Sequence, residues 1–325
     1  MPDVVLTQAQ YGKAEVRLLH VDRGGERHEI TDLNVSIALA GDLTDTYLTG
    51  DNTNVLTTDA QKNTVYAFAR KFGVRPVEEF GLRLASHFAG IGPVERAQVR
   101  VEEYGWQRIP VGGTPHAHSF ERQAGTRVTS VLAHEDGGIE IVAGVTDLVL
   151  LKSSGSEFRG FLTDAYTTLE PTEDRILATA VRGHWRTAGR DVEWDASFRG
   201  ARAALVEAFA DTHSLSLQQT LYAMGEAVLA ARPEVCEVRL TLPNKHHFLV
   251  DLAPFGLDNP GEVFFAADRP YGLIEGAVQR AGAPAGDPEH QWCPPTSWSP
   301  GPSWSPPATR TGASWPVGGW PSPTG

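Results

Sequence analysis

Twice along this chain the apolar residues change period in the same order, from two (strand) to 3.6 (helix) and back to two, and this double pass restricts the fold more than any other feature. In the first pass Ala14, Val16 and Leu18 alternate with Glu15 and Arg17, Gly24-Gly25 supplies a turn, and Val35, Ile37 and Leu39 form a second extended run. That pattern predicts a β-hairpin. Helical faces follow at Val65, Phe68 and Phe72 and at Phe80, Leu84 and Phe88; strand patterns return at Val99 and Val101 and in a run after Pro115. An Asp136-Gly137-Gly138 turn then joins Val128–Leu132 to Ile139–Val142.

The second pass has extended runs at residues 145–152 and 176–186, then helices whose faces are Trp194, Phe198, Ala201, Leu205 and Leu217, Leu221, Met224, Val228. Cys236, Val238, Leu240 and Leu242 alternate with Glu237, Arg239 and Thr241, and Phe248, Val250 and Leu252 are expected to continue the sheet beyond a turn at Pro243. Two strand-strand-helix-helix-strand-strand units, without the strand-helix alternation of a parallel sheet, predict an α+β fold with antiparallel sheets and paired helices. The units divide at residues 1–144 and 145–282. From about residue 283 the composition shifts: eleven of the 22 prolines and five of the eight tryptophans lie in residues 281–325. This Pro/Trp/Ser-rich tail, 283–325, is expected to be extended or disordered.

A chain of 325 residues with 41% hydrophobic content can bury a full core. Its formal charge of −12 argues against a general nucleic-acid-binding surface and against attraction to anionic lipid, so an anionic substrate needs a locally positive site. Two cysteines, Cys236 and Cys293, indicate neither a disulfide framework nor a cysteine-based zinc site. No apolar run approaches the roughly 18 residues of a membrane span, and the start Met-Pro-Asp-Val-Val-Leu-Thr lacks a signal-peptide pattern.

Several residues carry chemistry. In the stretch Phe158–Arg175, Arg175 can give two parallel hydrogen bonds to a planar anionic ring and Phe158 can stack on its face. Thr58-Asp59-Ala60-Gln61 fits a capping box with Thr58 as helix N-cap, and a helix start also offers free N–H groups to an anion. A threonine hydroxyl needs an adjacent base to move a proton, and Lys13 is the candidate; to act so it must be partly neutral, which burial or a neighbouring positive charge brings about. Asn244-Lys245-His246-His247 sets an amide and an imidazole at a strand-adjacent corner. His116 and His118, on alternate strand positions, share a face and raise a metal hypothesis for which no third ligand is assigned. Gln218, at the start of a helix, can pair with adjacent carbonyl and N–H groups.

The Phe158–Arg175 stretch resembles urate oxidases (uricases), as do Tyr11-Gly12-Lys13, Thr58-Asp59 before Lys62-Asn63-Thr64, Ser216-Leu217-Gln218 and Pro243-Asn244-Lys245-His246, in the family's order. The resemblance implies tandem tunnelling-fold units whose sheets join across subunits into a barrel, and a homotetramer with sites at subunit interfaces. It implies cofactor-free oxidation of urate by O₂ and water, with no metal. Arg175 and Gln218 would clamp the ring, Phe158 stack on it and Leu217 give a backbone contact, leucine standing where the family often has valine. Lys13, Thr58 and His246 would form a proton relay, Thr58 and Asp59 reach in from the neighbouring subunit, and Asn244 help position O₂ or water. Eukaryotic relatives often end in a peroxisomal signal; this chain ends Pro-Ser-Pro-Thr-Gly, so a cytoplasmic location is expected. The alternatives are a metal-dependent pterin or purine enzyme of the same fold, using His116 and His118, and a non-catalytic purine-binding protein.

Overall fold

The alternating runs become strands β1 (Tyr11–Asp22), β2 (Glu29–Gly41), β3 (Val94–Val111), β4 (Thr114–His134), β5 (Ile139–Lys152), β6 (Leu177–Thr187) and β7 (Val235–Lys245), followed by β8 (His247–Leu249), β9 (Phe264–Ala266) and β10 (Gly272–Gln279). The helices are α1 (Thr44–Leu48), α2 (Thr58–Phe72), α3 (Val77–Ala89), α4 (Trp194–Asp211) and α5 (Leu217–Ala231). This computed structural model describes residues 4–267 and 269–292. One antiparallel sheet runs in the order β1-β2-β3-β4-β5-β6-β7-β10, and β8 pairs separately with β9. The architecture is α+β, as expected.

Alternation explains why the longer helices cover one face of the sheet. Leu33, Val35, Val99, Val101 and Val131 meet Val65, Phe80, Leu84 and Phe88 of α2 and α3, while Val181, Trp185, Val238 and Leu240 meet Leu205, Leu221, Met224 and Val228 of α4 and α5. Each fully buried Leu or Phe contributes about 1.5–3 kcal/mol. Phe72, expected on the buried face of α2, is 43% exposed and packs edge-on against Phe68 instead.

The two passes share a backbone device. Both β1 and β5 carry an irregularity, between Lys13 and Val16 and between Val145 and Leu148, each with a non-glycine residue at positive φ, Glu15 at 57° and Asp147 at 56°. A glycine stands three residues ahead of each. A Cβ on Gly12 would lie 1.8 Å from the Ile37 carbonyl oxygen, and one on Gly144 would lie 2.4 Å from that of Gly183. Such bulges bend a strand and re-aim the side chains beside them, here Lys13.

Pro243 does not turn the chain. β7 continues through it to Lys245, and its outer partner is β10, with Leu242 opposite Ile274 and Asn244 opposite Gly272. The run at Phe248 leaves the main sheet to pair with β9. A proline that lacks an N–H is tolerated because the β6–β7 ladder passes over it, pairing Arg182 with Thr241 and then Thr179 with Asn244 in one register.

The opposite face of the sheet is polar, and residues 284–292, assigned by composition to the tail, lie against it. Arg186 donates to the Pro284 carbonyl at 2.7 Å, the Asp287 N–H donates to Glu140 at 2.9 Å, and His290 bonds Glu140 at 2.7 Å and Ser130 at 2.9 Å. Trp292 is 5% exposed, with the Arg239 guanidinium 3.8 Å from its ring centre. Composition hid this because the attachment is polar and its hydrogen bonds reach 98 to 160 residues back along the chain. Residues 293–325, including Cys293 and the Ser-Trp near-repeats, lie outside the described residues.

On the same face His184 of β6 is buried opposite Gly144 and Arg239. Burial, with the positive charges of Arg100, Arg182 and Arg239, pushes its pKa down to about 3. The unfolded chain binds a proton here near pH 6.5 while the folded chain does not, so stability falls as pH drops from about 6.5 to about 3, by up to ~1.4 kcal/mol per pH unit. His184→Gln is expected to flatten that part of the plot of Tm against pH. An unchanged slope would mean that His184 is not the group responsible.

Candidate functional site

Two groups of predicted residues form, at opposite ends of the sheet. The larger begins with the segment 153–176, which has to cross from β5 to β6. Asp174 pins it by accepting from Ser154 Oγ at 2.6 Å and from the Gly155 and Ser156 N–H groups at 2.8 and 3.3 Å. The Arg175 N–H then donates to the Ser156 carbonyl at 2.7 Å, and Phe158 bridges Thr172. This closed loop sets the Arg175 guanidinium 5.0 Å from the Phe158 ring centre.

The same loop is tied to the start of α5. Ser156 bridges Ser214, the Glu157 N–H donates to the Ser214 carbonyl at 2.8 Å, and Glu157 also holds His213 at 2.9 Å. Ser216 caps α5 by accepting from the Gln219 N–H at 3.1 Å, and Gln219 reaches back to the Leu215 N–H at 2.8 Å. This leaves the first helical positions, Leu217 and Gln218, with N–H groups that have no intrahelical acceptor. Leu217 buries its side chain in the core and Gln218 exposes its amide. Asn244 and His246, at the end of β7, complete the group.

The electrostatics of this corner are one-sided. Among the described residues the Arg175 guanidinium has no hydrogen-bond or ion-pair partner, and its Nε is buried. Burial pulls the Arg175 pKa below the usual arginine value, yet a guanidinium remains charged at neutral pH. Burial, then the charges of Arg175 and His247, lowers the His246 pKa. The corner therefore offers an uncompensated cation beside an imidazole held in its neutral form.

The smaller group lies on β1 and α2. Thr57, not Thr58, is the N-cap: its hydroxyl accepts from the Ala60 N–H at 3.1 Å, so Thr58 and Asp59 occupy the first turn. The capping-box spacing favours Thr58, with Gln61 three residues on, but the cap is decided by Thr57's extended backbone, with ψ at 142°. With Thr57 as the cap, the Thr58 hydroxyl is not used for capping. Lys62 and Asn63 hold the Asp59 carboxylate at 2.6 and 2.9 Å, lowering its pKa chiefly through Lys62, with a smaller contribution from Lys13. Lys13 sits beside this helix start, which Tyr11 anchors by accepting the Leu56 N–H at 2.9 Å.

One chain does not bring the two groups together. Lys13 on β1 and Asn244 on β7 are separated by six interstrand steps, about 29 Å along the sheet. His116 and His118, near the β3–β4 turn, have ring centres 4.5 Å apart, and no set of three or more metal-ligating side chains is present among the described residues. The supports missed from sequence are Thr57, Ser156, Glu157 and Asp174. The Ser216-x-x-Gln219 capping box was legible as a helix start, but the Asp174 clamp joins residues 18 to 20 apart with no local periodicity.

The uricase family profile matches residues 9–131 and 141–275. A uricase of Arthrobacter globiformis is 53% identical over 286 residues, 88% of this chain and 93% of the relative, and a uricase of Dictyostelium discoideum is 38% identical over 280 residues, 85% and 98%. The crystal structure of the Arthrobacter globiformis uricase superposes with a TM-score of 0.84 at 52% identity, covering 88% of this chain and 98% of that one. With both the profile and these relatives spanning nearly all of the described residues, the chain belongs to the uricase family.

Proposed function

We propose that the protein is a urate oxidase that works without cofactor or metal, converting urate, O₂ and water to 5-hydroxyisourate and hydrogen peroxide. The observation that carries this reading is the half-buried, unpartnered Arg175 guanidinium against the Phe158 ring. A planar anion with adjacent acceptors satisfies that fork, and the exposed Gln218 amide can pair with the opposite edge. Urate is already an anion near neutral pH. Removing a further proton gives a ring electron-rich enough to pass electrons to O₂, so the protein supplies alignment, a base and exclusion of water.

The site is shared between two copies of the chain. Lys13, Thr58 and Asp59 of one copy face Phe158, Arg175, Leu217, Gln218, Asn244 and His246 of another, so that the anion lies between the first turns of α2 and α5. Thr58 and Asp59 bind mainly through main-chain N–H groups, because the Asp59 carboxylate is already held by Lys62 and Asn63. Lys13, Thr58 and the neutral His246 relay protons, and Asn244 with Thr58 positions O₂ or water over the ring.

Apolar surface and open edges support assembly. Leu162 and Tyr166 of the 158–175 loop are 96% and 89% exposed, Phe248 and Phe265 of the β8–β9 pair are also exposed, and among the described residues β1 and β10 are the open edges of the main sheet. Tandem tunnelling-fold units, 1–144 and 145–282, joined edge to edge as a barrel within a homotetramer, account for these features. A cytoplasmic location fits a chain in which no described helix is long and apolar enough to cross a membrane.

The reading is tested on metal-stripped protein by following urate, oxygen and peroxide together; matched consumption and release are expected, and urate binding without turnover would leave only a purine-binding protein. The shared site has its own test. Lys13→Ala and Arg175→Ala proteins are each expected to be nearly inactive, whereas co-assembled mixtures should recover about a quarter of wild-type activity, since half the chains supply each intact side. No recovery would put both groups in one chain's site and overturn the composite arrangement.

A further inference from the structure

Three of the buried polar atoms without a hydrogen-bond partner among the described residues belong to this one corner: Ser156 Oγ, Arg175 Nε and Thr179 Oγ1. Arg175 has an evident use. Thr179 does not, and it is 0% exposed in a layer where valine would fill the same volume without an unpaired hydroxyl. A buried hydroxyl kept at such a position calls for an acceptor or donor that the fold brings to it.

The strand register sets a candidate beside it, although the two side chains are not hydrogen-bonded within the single chain. Thr179 of β6 stands directly opposite Asn244 of β7. Opposed residues of an antiparallel pair share a face with Cβ atoms roughly 4.5–5.5 Å apart, within reach of a hydroxyl-to-amide hydrogen bond. On its other side Asn244 faces Gly272 of β10, which has no side chain to hold it. Thr179 is thus the polar cross-strand neighbour of Asn244, and the Thr179–Asn244 pair is where the β6–β7 ladder resumes after Pro243.

We propose that Thr179 is a positioning residue for Asn244: a rotation of either side chain brings the hydroxyl onto the amide and fixes it in the orientation that presents it to O₂ or water above the substrate ring. This rests on the role given to Asn244 under the proposed function. The hydroxyl acts through Asn244 and touches neither substrate nor oxygen, so its effect is confined to the oxygen side of the reaction.

The test compares Thr179→Val and Thr179→Ser with wild type in full-length protein, measuring kcat, KM for urate, KM for O₂ and Tm. Valine is expected to lower kcat/KM for O₂ roughly tenfold while KM for urate stays within about twofold, and serine to restore most of the loss. A valine variant with unchanged oxygen kinetics and a raised Tm would mean that the hydroxyl is merely unpaired, and equal losses for urate and O₂ would mean general disruption; either overturns the proposal. A crystal structure with a bound urate-like purine decides independently of turnover: Thr179 Oγ1 should lie about 3 Å from the Asn244 amide, and a clear separation refutes the contact. Wild-type protein that consumes no urate would instead refute the proposed function, leaving the structural contact to be judged by that crystal.

Discussion

Arg175→Ala is expected to lower kcat/KM for urate by about three orders of magnitude, roughly 4 kcal/mol, mostly through KM. The size follows from what Arg175 does in the fold, which is little besides stacking on Phe158. Its guanidinium has no partner among the described residues, so its charge is free for a ligand, and truncation leaves that ligand's anionic edge unpaired in a half-buried corner. The same substitution is expected to leave Tm unchanged or raise it, because an uncompensated, partly buried charge is removed. Steady-state kinetics and a thermal melt on one preparation separate the two effects. Retained affinity would sink the clamp, and a large fall in Tm would show Arg175 to be structural.

The largest stability effect is expected at Arg127 on β4. It forms a two-point pair with Glu78 of α3 at 3.1 and 2.7 Å, bonds Asp195 of α4 at 2.6 Å, and lies 4.6 Å from the Phe198 ring centre. One side chain therefore joins the first helix pair to the second. Glu78 is 0% exposed, and burial raises its pKa against the pull of Arg127. Arg127→Met strands that carboxyl and should cost about 3–5 kcal/mol, a fall in Tm of about 10 °C. Adding Glu78→Leu should recover most of the loss, because an apolar pair of similar volume replaces the ion pair. A single variant that melts within a degree or two of wild type would contradict this account.

Neither result could be read from the sequence, although the residues could be named. Sequence places Arg175 near an aromatic residue, but its lack of a partner among the described residues depends on everything that surrounds it. Nothing near Arg127 in the chain distinguishes it, because Glu78 and Asp195 lie 49 and 68 residues away. The Thr57 cap, the docking of residues 284–292 and the choice of β10 as the partner of β7 escaped for related reasons. Capping turns on one residue's backbone angles, polar attachment has no period, and a strand's alternation fixes which face is buried without naming its neighbour.

The order of residues encodes the two strand-and-helix passes, most of the faces they bury, and the identities of the residues proposed for the site, because alternation and helical spacing are local and each apolar face must be buried somewhere. That Lys13 and Arg175 stand far apart across a single sheet, and that the Arg175 charge finds no partner among the described residues, is settled by three-dimensional packing. Those outcomes depend on strand order and on long-range pairing of charges, which no short stretch of sequence encodes.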